Sequence, residues 1–297
     1  MTISGILPAL LTAYDDEGSI SLDRTSMLVS KLVDTGVDGF FVSGTSGEYY
    51  LLSTAERLEL LETVAAHAGD RHVVMQVAAS DQRDVREMAR RAADHGATAI
   101  SASIPLYYTY SDESLVDYFR DIRSCSELPL IGYTIPGFTG RVLSADLLTG
   151  LAAEGTLAGL KYTSSDLAVL ARVRAGTPEG FSLLLGSDDL LVAALSHGAD
   201  GGIGATFNIA PRLYVDLHRA FREGDLAEAR RLQELAVALL GALAQGEVYP
   251  TLKSGMRARG VDIGQSRAPM AQHTPEQDAQ VAGALAAVDG LEGYLIS

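Results

Sequence analysis

One cysteine, Cys125, and no tryptophan occur among the 297 residues. A lone thiol excludes an intrachain disulfide and any zinc site built from several cysteines. It also suits a reducing compartment, so a cytoplasmic location is expected. The histidines, His67, His72, His95, His197, His218 and His273, show no HExxH or clustered ligand spacing, and neither a metal nor a cofactor is expected. Positive charge is the minority: 23 basic against 38 acidic residues give a net −15. An acidic surface of that size repels phosphate backbones and anionic headgroups, which argues against nucleic acid and membrane surfaces as partners. No basic segment precedes an apolar run at the start of the sequence, and no stretch approaches the ~20 apolar residues of a membrane span. Nucleotide binding has no support either, because neither GxGxxG nor a P-loop pattern occurs.

What is present is a regular alternation. Short apolar runs rich in strand formers cover Ile6 to Leu11, Gly39 to Val42, Val73 to Val77, Ala99 to Ser103, Pro129 to Tyr133, Leu157 to Lys161, Ser182 to Leu185 and Gly201 to Gly204. Between and after them, helical periodicity predicts helices over Leu22 to Asp34, Thr54 to His67, Asp81 to His95, Ser114 to Arg123, Ala145 to Ala153, Ser165 to Arg174, Asp188 to His197 and Pro211 to Arg222. Ser53 and Glu56 have the spacing of a capping box, and Gly36, Gly96 and Gly198 follow helices where a left-handed residue is wanted. Eight strand–helix units with strands buried on both faces predict an α/β fold, a (β/α)8 TIM barrel. An open doubly wound sheet is the alternative. Further helical stretches, about Leu226 to Gln245, Leu252 to Arg259 and from Thr274 onward, exceed what a barrel needs. The expected organisation is a barrel over 1–224 and a C-terminal helical extension over 225–297 packed on it.

Functional residues of such a barrel sit at the carboxyl ends of the strands and in the loops that follow. This rim collects Gly44, Thr45, Ser46, Gly47 and Glu48 after the second strand, Tyr107 and Tyr108 after the fourth, and Tyr133 at the end of the fifth. Lys161, Tyr162 and Thr163 follow at the sixth, then Gly186, Ser187, Asp188 and Asp189 after the seventh. Lys161 stands out because the chain has only three lysines, and this one ends an apolar run. Desolvation there favours the free amine, which can attack a carbonyl; a buried lysine paired with Asp188 or Glu48 is the structural alternative. Lys31, in the first helix, and Lys253, in the C-terminal helical region, are each compatible with a solvated surface position. The GTSGE loop reads as a carboxylate cradle in which Gly44 and Gly47 let the backbone turn tightly. Tyr133 and Tyr107 or Tyr108 are candidate proton relays. Asp188 and Asp189 read either as helix-capping acids or as binders of substrate hydroxyls.

GTSGE, YTIPGFTG across the end of strand five, GLKYTSSDL around Lys161 and GADGGIGATFN on strand eight together resemble the dihydrodipicolinate synthase / N-acetylneuraminate lyase family of pyruvate-dependent class I aldolases. The similarity extends to the LKSGMRARGVDIG and RAP segments near the end. It implies the barrel, the helical extension and a homotetramer built as a dimer of dimers. Residue by residue, Lys161 matches the Schiff-base lysine, Tyr133 the proton-shuttling tyrosine, and Thr45 with Ser46 the pair that holds the pyruvyl carboxylate beside Gly47. Tyr107 matches the tyrosine that reaches into a neighbouring subunit's site, and Ile203 a residue whose backbone lines the pyruvate pocket.

Departures from the family pattern bear on the second substrate. Dihydrodipicolinate synthases typically follow the lysine with Glu-Ala and carry an arginine where this chain has Phe138, so a bidentate carboxylate clamp is missing. Thr163, Gly186 and Asp188 resemble positions of the N-acetylneuraminate lyase branch that grip a sugar-derived chain, although Ala205 and Asp189 replace that branch's usual Ser and Glu. The expected activity is a Schiff-base lyase that cleaves or forms a 4-hydroxy-2-oxo acid, with pyruvate and a polar or sugar-like aldehyde as its small-molecule partners. Dihydrodipicolinate synthesis from aspartate semialdehyde is the rival reaction, a non-catalytic 2-oxo-acid-binding homologue the rival class, and a metal-dependent barrel aldolase a weaker option.

Overall fold

Every residue of the eight strands is buried except His72 at the start of the third, which is why the sequence writes them as near-continuous apolar runs. The computed structural model describes residues 2–297. In chain order the barrel comprises β1 (Gly5–Pro8), α1 (Leu22–Val33), β2 (Gly39–Val42), α2 (Thr54–Ala68), β3 (His72–Gln76), α3 (Gln82–Arg91), β4 (Ala99–Ser103), α4 (Asp112–Ser124) and β5 (Leu130–Thr134). It continues through α5 (Pro136–Thr139), α6 (Ala145–Ala153), β6 (Gly159–Tyr162), α7 (Leu167–Gly176), β7 (Ser182–Leu185), α8 (Leu191–Ser196), β8 (Gly201–Gly204) and α9 (Pro211–Glu223). Three helices follow: α10 (Leu226–Leu243), α11 (Val248–Ala258) and α12 (Pro275–Ala286).

The strands pair in parallel in the order β1-β8-β7-β6-β5-β4-β3-β2. The Asp38 amide donates to Ile6 and the Leu10 amide to Phe41, which closes β1 onto β2. The architecture is therefore the (β/α)8 barrel, not the open sheet. Two apolar cores result. One lies between the sheet and the helices, and a smaller one inside the barrel joins Leu7, Phe41, Val74, Ile131, Tyr133, Leu184 and Ile203. The C-terminal helices share the outer core through Leu232, Leu239, Met256 and Leu285. Among the described residues, no single helix is long and apolar enough to cross a membrane.

Local signals place these elements. Ser53 accepts from the Glu56 amide and Glu56 returns to Ser53, completing the capping box of α2. Gly36, Gly96 and Gly198 all adopt positive φ at the ends of helical segments. One predicted element changes form. The stretch from Asp188 splits into a 3₁₀ turn over Asp188–Leu190 followed by α8, because the Asp188 side chain turns into the protein and makes no cap.

Candidate active site

Register brings the central pair together. Tyr133 on β5 lies beside Lys161 on β6, and both belong to strand positions that face the barrel interior. The Lys161 ammonium nitrogen sits 4.0 Å from the centre of the Phe41 ring and 4.3 Å from that of Tyr133. Burial brings its pKa down to about 7, against an opposing pull from the Asp188 carboxylate. Lys161 takes part in no ion pair among the described residues, so nothing in direct contact holds it as the ammonium and the free amine is accessible near neutrality.

The GTSGE loop closes over this pair from β2. Thr45 Oγ1 and Tyr133 OH are 3.2 Å apart. Burial raises the Tyr133 phenol above its ordinary pKa, with the Thr45 and Thr163 hydroxyls opposing. The loop is held by turns from the Gly47 amide to Gly44 and from the Glu48 amide to Thr45, while the Thr12 hydroxyl donates to the Gly47 carbonyl. Among the described residues, the amides of Thr45 and Ser46 find no acceptor. The tight turning falls elsewhere than the sequence suggests. Ser43 and Glu48 carry the left-handed φ values of 53° and 56°, whereas Gly44 and Gly47 serve close approach. A Cβ on Gly44 would meet the Phe41 ring at 2.6 Å, and one on Gly47 the Leu10 carbonyl at 3.0 Å.

The far side of the lysine is built by β7 and β8. Asp188 is buried and its Oδ2 accepts from both the amide and the hydroxyl of Thr206, at 2.9 and 2.6 Å. Thr206 in turn pairs with Tyr214 OH at 2.6 Å. Burial raises the Asp188 pKa, and the Thr206 donors and Lys161 work against that rise. The capping reading therefore fails for Asp188; Asp189 is exposed. Gly186 leaves room for the buried Thr163 hydroxyl: a Cβ there would fall 1.9 Å from Thr163 Oγ1 and 3.3 Å from Lys161 Cε. Ile203 packs inside the barrel.

A cavity of about 240 Å³ opens in front of Thr45 and is lined by Ser103, Ile135, Phe138, Tyr249 and Met270 among others. Phe138, on the short helix α5, is 63% exposed at its edge. Tyr107 lies apart from the other predicted residues of its own chain: its side chain is 93% exposed, with φ of 81°. The sequence reading missed one contributor, Tyr249, which lies between two predicted helices and carries no motif; Thr206 was legible within GADGGIGATFN, but its contact with Asp188 was not. Lys253 is a correction: it is fully buried against Glu48, not a surface residue.

A largely desolvated amine at the mouth of a parallel barrel, beside a phenol and a hydroxyl in contact, is the equipment of an imine-forming lyase. The dihydrodipicolinate synthetase family pattern matches residues 2–288. The N-acetylneuraminate lyase of Lactiplantibacillus plantarum is 37% identical over 274 residues, which cover 91% of this chain and 93% of that protein. A catalytic lysine mutant of the Ruminococcus gnavus sialic acid aldolase superposes with a TM-score of 0.93 at 26% identity, over 98% of this chain and 97% of its own. A prophage protein of the dihydrodipicolinic acid synthase family from E. coli K12, solved in complex with pyruvate, gives 0.91 at 26% identity over 96% and 98%. The chain belongs to the dihydrodipicolinate synthetase family, and with it to the pyruvate-dependent class I aldolases.

Proposed function

We propose that the protein cleaves and forms a 4-hydroxy-2-oxo acid through an imine between pyruvate and Lys161, with an aldehyde of the sugar-derived kind as the second partner. The observation that carries this reading is the buried Lys161, its pKa near 7, beside the Thr45–Tyr133 contact. In the synthetic direction the free amine attacks C2 of pyruvate, and the resulting carbinolamine expels water to leave a protonated imine. That cation accepts the electron pair released when the methyl group loses a proton, so an enamine forms and attacks the aldehyde carbon. Hydrolysis then returns the amine. Tyr133, backed by Thr45, is the group placed to carry protons to and from the carbinolamine oxygen. The unpaired amides of Thr45 and Ser46, with their hydroxyls, suit the pyruvyl carboxylate at the Gly47 turn.

Support for a sugar-like aldehyde comes from Thr163, Gly186 and Asp188 standing together on one side of Lys161, and from the named lyase and aldolase relatives. Phe138 at the cavity edge provides no cation for the carboxylate of aspartate semialdehyde. We further assign to Tyr107 a role in a neighbouring subunit's site, within a homotetramer, consistent with its exposed side chain.

Borohydride reduction in the presence of pyruvate, followed by peptide mass mapping, tests the core of this reading. A reduced pyruvyl adduct on Lys161, lost in Lys161→Ala with the fold retained, is expected. No adduct on folded protein would leave a non-catalytic 2-oxo-acid binder, and retained turnover in Lys161→Ala would remove the mechanism. N-Acetylneuraminate cleavage and aspartate semialdehyde condensation then separate the two substrate assignments.

A further inference from the structure

Glu48 and Lys253 enter no chemical step above, yet they form an ion pair directly behind the loop that presents Thr45 and Ser46. Lys253 Nζ lies 2.8 Å from Glu48 Oε1, and neither side chain reaches solvent. Lys253 comes from α11; its ammonium also donates to the Gln265 carbonyl at 3.0 Å and sits over the Tyr14 ring at 4.2 Å. The second Glu48 oxygen accepts from the Arg267 amide at 3.0 Å. The Arg267 guanidinium spans the next turn, donating to the Leu51 carbonyl at 2.8 Å and to Glu56 at 2.6 Å. Both oxygens of one carboxylate are thus held by the C-terminal part of the chain. That carboxylate belongs to a residue whose backbone is left-handed without being glycine.

A buried ion pair contributes little net stability compared with apolar packing of the same volume, so its value lies in what it fixes. Here it fixes the end of a five-residue loop containing two glycines, whose Thr45 hydroxyl must stay within reach of Tyr133. We propose that Lys253 and Glu48 are positioning residues. Through them the C-terminal helices set the conformation of the loop that receives the pyruvyl carboxylate and the relay hydroxyl. Neither touches the substrate; both act through Thr45 and Ser46.

This inference rests on the proposed imine reaction, and the same trapping assay separates the two. Wild-type protein that traps no pyruvate would sink the reaction itself. If it traps, Glu48→Gln and Lys253→Met are compared with it by half-saturating pyruvate in the reduction assay, by kcat and by thermal melting. Folded variants are expected to need roughly ten-fold or more pyruvate for half-maximal trapping and to lose kcat, since a small displacement of an orienting group carries such costs. Unchanged half-saturation in folded variants would overturn the proposal, whatever the melting temperature. Should a single variant fail to fold, the double variant Glu48→Gln with Lys253→Met leaves no buried charge unpaired and is read by the same assay. A double variant that traps pyruvate like wild type, or that also fails to fold, would mark the pair as a stability element and overturn it.

Discussion

Lys161 and Lys253 are both buried, and what separates them is the carboxylate each one faces. Lys253 is in direct contact with Glu48, which opposes the effect of burial and leaves its pKa at about 8. Lys161 has only the longer-range pull of Asp188, and its pKa falls to about 7. The sign of the resulting pH dependence follows. Below pH 7 Lys161 is an ammonium and cannot attack; as pH rises through about 7 the amine is released, so the rate of imine formation climbs and then levels. Removing the Asp188 charge takes away the influence that favours the ammonium. In Asp188→Asn the rising limb of that profile is expected to move to lower pH, measured by stopped-flow trapping with pyruvate alone; a limb that stays in place would show that Asp188 does not set the lysine's protonation. Tyr133→Phe keeps the ring that packs against Phe41 and removes only the hydroxyl. Imine formation should slow by about 10² or more if that hydroxyl is the proton carrier, and an unchanged rate would remove it from the mechanism.

At the scale of elements, composition and period carried most of the architecture. The bounds of β2, β4, β7, β8 and α6 coincide with the sequence reading, because each is a short run whose apolar or amphipathic pattern stands out from its flanks. The failures have local causes. Helix α5 is only four residues long and too short to show a period. Helix α11 begins at Val248, ahead of the expected Leu252, because Pro250 lies in the first turn, where a missing N–H costs nothing. The Glu48–Lys253 contact joins positions far apart in sequence, and no local pattern announces it. The turn after β7 offers a test of how tightly these elements fit. A methyl group added at Gly186 would collide with Thr163 beside Lys161. Gly186→Ala is expected to cost about 1–3 kcal/mol by overpacking and to lower turnover through displaced Thr163. A melt and a rate both equal to wild type would mean that the turn yields freely.

For the whole molecule, the residues legible in the sequence converge on one rim except Tyr107. Thr45, Tyr133, Lys161, Thr163, Gly186 and Asp188 are reached from four different strands, and the barrel supplies the convergence that motifs only imply. Tyr107 instead stands apart from these residues, its ring exposed and set edge-on against Tyr108 at 5.1 Å, as the role proposed for it in a neighbouring subunit's site requires. If its hydroxyl serves a neighbour, then Lys161→Ala and Tyr107→Ala damage opposite halves of one composite site. Each variant alone should fall to a small fraction of wild-type activity. Co-assembled in equal amounts they create sites with an intact lysine from one chain and an intact Tyr107 from the other. Random pairing across a two-fold interface makes roughly a quarter of all sites complete. Recovered activity approaching that level, in particles whose sedimentation gives a tetramer, is the expected outcome. Mixtures no more active than their parents, with mixed assembly verified by mass, would confine the site to a single chain.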